Sequence, residues 1–136
     1  MINLSVTANI GTALRTLEQA AKKAAKGLAT GTKHAASIIR KNAVESMPQG
    51  NRRNRSKPGQ PPFKQSGRLA RSLRFDDTSD GGAAIFSNRR TREGFIASLM
   101  ESGTAKMKPR PFIRPAVTKS LPRLPVLMKT EIAKAF

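Results

Sequence analysis

The chain has 136 residues, a length that fits one compact domain, and it contains no cysteine. The lack of cysteine excludes a disulfide framework, a thiolate metal site and a cysteine nucleophile. The 26 basic and 8 acidic residues give a net charge of +18, which predicts an anionic partner, either nucleic acid or an acidic protein surface. Because only 38% of the residues are hydrophobic and 4% aromatic, we expect a thin core that neighbouring subunits help to stabilise.

The N-terminal segment predicts a short strand followed by the start of a helix. Residues 2–8 alternate apolar and polar side chains, as a half-buried strand does, and Asn9 or Thr12 then supplies a helix cap. The segment lacks the basic region and apolar run of a signal peptide. No run in the chain approaches the ~18 apolar residues that a membrane span needs. We therefore expect a soluble protein that stays in the compartment where it is made.

A long helix is predicted over residues 14–47, where apolar side chains recur at intervals of three and four. The resulting stripe consists mainly of alanine and is interrupted by Gly27 and Gly31. Such small residues let another element approach closely, but each glycine lowers the helix propensity by about 1 kcal/mol. The sequence therefore leaves open a single helix of roughly 50 Å or a break between the two glycines. Pro48 ends the helix in either case.

Residues 49–66 predict a long basic loop, because they are rich in proline and glycine and contain almost nothing to bury. No acidic residue occurs between Glu45 and Asp76. We expect this loop to be flexible in an isolated subunit and to order against a partner. Since few aromatic residues lie nearby for base stacking, the pattern favours contact with the DNA channel or an acidic partner without base recognition. The candidate contact residues are Arg52, Arg53, Arg55, Lys57 and Lys64.

A β-hairpin is predicted after the loop. Residues 68–75 show a period near two, which is typical of a strand, and residues 76–82 have the Asp- and Gly-rich composition of a turn. Residues 83–86 then form the return strand. Residues 94–100 predict either a strand or a short helical turn, and the pattern does not distinguish between the two.

The C-terminal part predicts a rigid turn followed by a helix. Proline is frequent in residues 101–116 and fixes the backbone φ angle at each of its positions. Residues 117–136 carry apolar side chains mostly at intervals of three and four, which is typical of a helix. Because Pro122 and Pro125 cannot donate backbone hydrogen bonds, we expect this helix to be kinked there or to begin at Pro125.

The sequence offers little that predicts catalysis. His34 is the only histidine, and it has no nucleophile or orienting carboxylate near it in the sequence, so we expect a structural or surface role. Asp76, Asp77 and Asp80 crowd the predicted turn, but they lack the spacing of a calcium-binding loop and are interpreted as a polar turn. No glycine-rich phosphate loop is present. We therefore expect no enzymatic activity, no metal and no cofactor.

Two stretches together resemble one protein family. Residues 58–75, PGQPPFKQSGRLARSLRF, resemble its proline-rich loop, its Ser/Thr–Gly pair and a strand that opens with an Arg–Leu step. Residues 94–117, GFIASLMESGTAKMKPRPFIRPAV, resemble its Glu-x-Gly-Thr turn, its basic pair and the Arg-Pro-Phe-x-x-Pro-Ala segment that opens the last helix. The family is the neck, or tail-component, family of long-tailed bacteriophages, which is related in shape to tail terminator and tail completion proteins.

The resemblance implies one α+β domain over residues 1–136, with a small antiparallel sheet packed against a long N-terminal helix and a C-terminal helix. It also implies a structural virion protein of the head–tail joint or tail end, made in the bacterial host cytoplasm. Related joint proteins form rings around the DNA channel, so we expect a hexameric ring that contacts adjacent head-closure and tail proteins, and the packaged DNA. The residues that match the turn motif are Glu101, Gly103, Thr104, Arg110, Pro111, Phe112 and Pro115.

The residues of this motif also make sense without the family. Gly103 allows a backbone conformation closed to other residues, and Glu101 or Thr104 can satisfy nearby backbone groups. Phe112 is expected to anchor the proline-rich segment in the core.

The alternative to a virion protein is a free-standing basic nucleic-acid-binding protein, whose affinity for duplex DNA or RNA would fall steeply with salt concentration.

Overall fold

The computed structural model describes residues 2–51 and 53–136. The predicted α+β class is confirmed: a long N-terminal helix and shorter C-terminal helices pack with two small antiparallel sheets of two strands each. The helices are α1 (Ile2–Ser46), α2 (Arg68–Ser72), α3 (Ile96–Ser102), α4 (Ile113–Ser120) and α5 (Leu124–Lys134). The strands are β1 (Leu73–Asp77), β2 (Ala83–Ser87), β3 (Arg90–Thr91) and β4 (Gly94–Phe95).

Helix α1 is one continuous helix of 45 residues, which makes it roughly 68 Å long. The strand predicted for residues 2–8 is therefore wrong, since these residues form the first turns of α1. A lone strand would leave its backbone groups unpaired, whereas extending an existing helix satisfies them locally. The open question about Gly27 and Gly31 is also resolved, because the helix runs through both without a break.

The strand predicted for residues 68–75 is wrong in its first half, where residues Arg68–Ser72 form α2. The helix places Leu69 and Ala70 against the core beside Leu73, the first residue of β1, which the period-two pattern of the segment did not anticipate. Ser72 closes the last turn by donating from its hydroxyl to the Leu69 carbonyl at 2.7 Å. Tertiary burial therefore overrides the local alternation in this segment.

The predicted hairpin is confirmed in β1 and β2, which pair antiparallel from Leu73 opposite Ser87 to Asp77 opposite Ala83. The return strand runs one residue further than predicted, to Ser87. Residues 94–100, for which the sequence pattern did not distinguish a strand from a helical turn, contain both. Strand β4 pairs with β3, and α3 begins directly after it at Ile96.

The C-terminal helix is interrupted, as the two prolines predict. Helix α4 ends at Ser120, Leu121–Arg123 form a short 3₁₀ turn that contains Pro122, and α5 begins one residue before Pro125. Both α4 and α5 pack along α1. The core lies where α1, the hairpin, α3 and α4 meet, and its buried hydrophobic residues are Ile39, Ala43, Met47, Leu73, Ala97, Phe112 and Ala116.

Candidate functional site

The basic loop of residues 49–66 is tied to the body at several points. The Lys64 N–H donates to the Pro48 carbonyl at 2.7 Å, and Gln49 and Lys64 form a parallel β-bridge. Near the middle of the loop, the Gly59 N–H donates to the Pro109 carbonyl at 2.9 Å. The loop therefore folds back over the proline-rich segment that precedes α4, and its flexibility in an isolated subunit stays a prediction.

The predicted contact residues of the loop lie in different environments. Arg53, Arg55 and Lys57 are exposed, whereas Lys64 is half-buried at the base of the loop. Arg52 lies outside the described residues. Arg55 and Lys64 line the same cleft, so the structure brings these two together.

The Glu101–Thr104 motif spans the end of α3 and the start of the tight turn that follows it. Gly103 has a φ of +77°. Thr104 and Met107 face each other across the turn, where the Thr104 N–H donates to the Met107 carbonyl at 2.8 Å. The Thr104 hydroxyl oxygen accepts from the Met107 N–H at 3.1 Å. This turn reverses the chain and starts the proline-rich segment.

The Glu101 carboxylate caps α4 from outside that helix. It accepts from the backbone N–H groups of Phe112 at 2.9 Å, Ile113 at 3.0 Å and Arg114 at 2.8 Å. These groups at a helix start have no partner within the helix, and a negative charge there is favoured by the helix dipole. The expectation that Glu101 and Thr104 satisfy nearby backbone donors is therefore confirmed.

The remaining motif residues fix the start of α4. Phe112 is fully buried in the core, as expected of an anchor. Pro111 is half-buried beside it, and Pro115 is the third residue of α4, in the first turn. The motif therefore joins α3 to α4 through a capped and proline-stiffened connection.

Arg110 belongs to the same connection but also reaches a cleft. The backbone N–H of Arg110 donates to the Met100 carbonyl at 2.7 Å, and the Nη1 atom of its side chain lies 3.9 Å from the Met107 sulfur. The Nε atom of Arg110 is buried and has no hydrogen-bond partner in the part of the chain that the structure describes. The sequence placed Arg110 in the turn motif, and the structure adds that its side chain lines the cleft.

The cleft lies between the basic loop, α2, α3 and the turn that carries Arg110, and its volume is about 330 Å³. We call it the basic cleft. Of the described residues that line it, none is acidic. Ser56 also lines the cleft and is only 5% exposed, and its Oγ atom has no hydrogen-bond partner among the described residues. The basic residues that line the cleft are Arg55, Lys64, Arg68, Arg89 and Arg110.

The five basic residues of the cleft have no acidic partner in the part of the chain that the structure describes. The ion pairs among the described residues are Lys33–Asp77, His34–Glu131, Lys41–Glu45 and Lys134–Glu131, and none of them involves the cleft. Sequence reasoning grouped Arg55 with Lys64 but missed Arg68 and Arg89 as members of one site. The only available signal was the run without acidic residues between Glu45 and Asp76, which contains Arg68 but not Arg89.

The first part of α1 forms a second candidate surface. Every residue from Thr12 to Gln19 is exposed. Within residues 10–21, which we call the N-terminal arm, Ile10 is 55% exposed, Leu14 55% and Leu17 66%. These side chains follow one another at intervals of four and three, so they share one face of the helix.

His34 lies beside a buried carboxylate that the sequence did not reveal. Its Nδ1 is 3.3 Å from Oε1 of Glu131 on α5, and the Lys134 ammonium donates to the same oxygen at 2.8 Å. Glu131 is only 7% exposed. The hydrogen bond from Lys134 is the largest cause that lowers the pKa of Glu131 below its ordinary value of 4.5, although burial acts in the opposite direction. The cluster joins α1 to α5.

The acidic turn between β1 and β2 is held by its own hydrogen bonds. The Asp80 carboxylate accepts from the Thr78 hydroxyl and from the Gly82 N–H, and the Thr78 bond is the largest cause that lowers the pKa of Asp80. Asp77 pairs with Lys33 of α1 at 3.0 Å. Among the residues that the structure describes, no group of three or more His, Cys, Asp or Glu side chains is arranged to hold a metal ion.

None of the described helices combines the length and the apolar character needed to cross a membrane. No protein-family model, no curated protein and no solved structure matches this chain. Three features therefore bear on function: the basic cleft, the exposed apolar face of the N-terminal arm and the family resemblance of the two sequence stretches.

Proposed function

We propose that the chain is a non-enzymatic structural protein of the head–tail joint of a tailed bacteriophage, where copies of it form a ring around the DNA channel. The observation that carries the proposal is the N-terminal arm with its exposed apolar face. The two stretches that resemble neck and tail-component proteins support the same assignment.

The arm supports assembly because its apolar face continues a face that is buried elsewhere in the same helix. Ala35 and Ile39 lie on the same helical stripe as Leu14 and Leu17 and are buried against the body. In the arm, large apolar side chains on this stripe remain in contact with water, which is unfavourable by roughly 25 cal/mol per Å² of apolar surface. A second copy of the chain would remove this surface from water.

A ring follows when the arm of each copy packs against a different surface of the next copy. Such head-to-tail contacts close into a ring if the rotation between copies divides a full turn. We expect a hexamer, with the basic loop of residues 49–66 turned towards the DNA channel or towards an adjacent joint protein.

The proposal is tested by the mass of the purified protein, measured by light scattering and native mass spectrometry, with electron microscopy to detect rings. Leu17→Asp places a charge on the apolar face of the arm and is expected to yield monomers that keep their helix content. Gln19→Asp introduces an acidic group on the opposite face of the same exposed arm and is expected to assemble normally. Wild-type protein that stays monomeric at every concentration and is absent from phage particles would refute the proposal.

The alternative function, a free-standing nucleic-acid-binding protein, is favoured by the net charge of +18 and the exposed Arg53, Arg55 and Lys57. It predicts tight binding of duplex DNA or RNA by the monomer, with affinity that falls steeply as salt rises. Fluorescence anisotropy at about 0.15 M salt, where screening acts over about 8 Å, separates the two functions. Negligible binding there, together with assembly into rings, excludes the alternative.

A further inference from the structure

We infer that the basic cleft binds a phosphate group, either inorganic phosphate or the phosphate of an ester. The inference concerns a site within one subunit, and it stands whether or not the subunits form a ring. Two independent observations carry it. The basic residues that line the cleft have no acidic partner among the described residues, and two buried polar atoms have no hydrogen-bond partner among them.

The positive charges of the basic cleft are complementary to an anion. Arg55, Lys64, Arg68, Arg89 and Arg110 line one concave surface, and none of the described residues that line it is acidic. Like charges brought together in this way repel one another, and the repulsion is stronger where solvent is partly excluded. A bound anion would reverse the sign of these interactions, which makes the cleft complementary to negative charge.

The two buried polar atoms belong to hydrogen-bond donors that an oxygen acceptor would satisfy. Ser56 Oγ and Arg110 Nε are buried, and neither has a hydrogen-bond partner among the described residues. Buried polar groups in folded proteins almost always have partners, so an exception in a concave site needs an explanation. A serine hydroxyl and a guanidinium N–H both donate hydrogen bonds, and a phosphate oxygen accepts from both. Because both atoms are buried, each side chain has to turn towards the cleft to reach the phosphate.

Phosphate fits these hydrogen-bond donors better than a monoatomic anion such as chloride does. Four of the five basic residues are arginines, whose planar fork of N–H groups matches the oxygens of a phosphate. The volume of about 330 Å³ lies at the lower end of the range for small-molecule sites. Apolar side chains of Met47, Phe63 and Ile96 form another part of the lining, against which the uncharged part of an ester can pack.

The first test measures binding of inorganic phosphate by calorimetry and by the melting temperature, with sodium chloride at equal ionic strength as the reference. We expect phosphate to raise the melting temperature and chloride to have a smaller effect. Arg55→Ala and Arg89→Ala are each expected to weaken phosphate binding by about tenfold, since each removes a charge-assisted hydrogen bond. Arg123→Ala removes the same charge from an exposed position in the 3₁₀ turn and is expected to leave the affinity unchanged.

Ser56→Ala separates a ligand-binding role from a purely structural one. Without phosphate this variant is expected to melt at the same or a higher temperature, because it removes a buried hydroxyl that has no partner. With phosphate it is expected to gain less stability than the wild type. The inference is overturned if phosphate acts no differently from chloride, or if the cleft variants and Arg123→Ala bind phosphate equally well.

Competition identifies the source of the phosphate. A nucleoside monophosphate that displaces inorganic phosphate, with loss of its binding in Arg89→Ala, indicates a small phosphate ester. Duplex DNA that displaces it, with weaker DNA binding in Arg89→Ala than in Arg123→Ala, indicates a nucleic-acid backbone. Inorganic phosphate that neither compound displaces indicates the ion itself. Each of these three results supports a phosphate site, and the absence of any dependence on Arg89 refutes it.

Discussion

Gly27 of α1 lies so close to Ile132 of α5 that a Cβ atom on the glycine would stand 2.7 Å from the Ile132 Cα atom. One turn further along α1, a Cβ atom on Gly31 would stand 2.6 Å from the sulfur of Met128. Because the numbers rise along α1 as they fall along α5, the two helices are antiparallel. The two glycines are therefore the surface on which α5 packs.

Gly27→Ala is expected to destabilise the protein relative to Gly11→Ala by about 1–3 kcal/mol, the usual effect of overpacking. Both substitutions lie in α1 and gain the same helix propensity, up to about 1 kcal/mol. They differ in that a Cβ atom on Gly11 meets nothing within 4 Å. Urea unfolding of both variants and the wild type measures the difference. Equal stability of the two variants would show that α5 does not pack closely at Gly27.

Glu101→Ala is expected to lower the free energy of unfolding by about 2 kcal/mol, because it removes the acceptor for the first N–H groups of α4. Glu101→Gln should have a smaller effect, since the amide oxygen still accepts a hydrogen bond but lacks the negative charge. Thermal and urea unfolding give the values.

Glu93→Ala is the control for Glu101→Ala, since Glu93 is exposed in the turn between β3 and β4. It should change the unfolding free energy by less than about 0.5 kcal/mol, as surface substitutions usually do. A loss in Glu101→Ala no larger than that in Glu93→Ala would mean that the cap contributes little to stability.

Gly103→Ala is expected to be more destabilising than Gly59→Ala. Both glycines have a positive φ, of +77° and +79°, so both substitutions carry a strain of about 1–3 kcal/mol. A Cβ atom on Gly103 would additionally stand 2.7 Å from the Met107 carbonyl oxygen, whereas one on Gly59 meets nothing within 4 Å. Unfolding measurements on both variants isolate the close approach, and equal losses would contradict it.

Glu131→Gln is expected to reduce stability at neutral pH, by an amount that shrinks as the solution becomes acidic. The pKa of Glu131 is lowered in the folded protein, chiefly by the hydrogen bond from Lys134. The unfolded chain therefore takes up the proton first, so the contribution of the ionised carboxylate is fully present above pH 4.5 and is lost as the pH falls through the folded pKa.

Urea unfolding of the wild type and of Glu131→Gln from neutral pH down to about pH 3 measures this dependence. Glu18→Gln, at an exposed position on the N-terminal arm, is the control and should differ from the wild type by a constant small amount. A difference between Glu131→Gln and the wild type that does not vary with pH would show that the pKa of Glu131 is not lowered by folding.

Elements governed by local chemistry were predictable. The hairpin follows from strand patterning on both sides of an Asp- and Gly-rich turn, and the interrupted C-terminal helix follows from the missing N–H groups of Pro122 and Pro125. The roles of Glu101 and Thr104 were also within reach, because a side chain near a turn commonly satisfies backbone donors.

Elements that depend on partners distant in the sequence could not be predicted. Residues 2–8 alternate like a strand but have no strand to pair with, so they extend α1. Residues 68–72 alternate as well, yet the packing of Leu69 and Ala70 against the core selects a helix. The same limit hid the partnership of His34 with Glu131, which are separated by more than two thirds of the chain.

The sequence by itself determined the positive charge, the capped turn and the places where helices must stop, because each depends on composition or on neighbours within a few positions. The α+β class was implied by the family resemblance of the two stretches. Only the tertiary structure decided that Arg55, Arg68, Arg89 and Arg110 line one cleft with the unpaired hydroxyl of Ser56. These residues come from the loop, α2, the segment between β2 and β3, and the turn before α4. Their proximity depends on how these elements pack together in the tertiary structure, which no local pattern encodes.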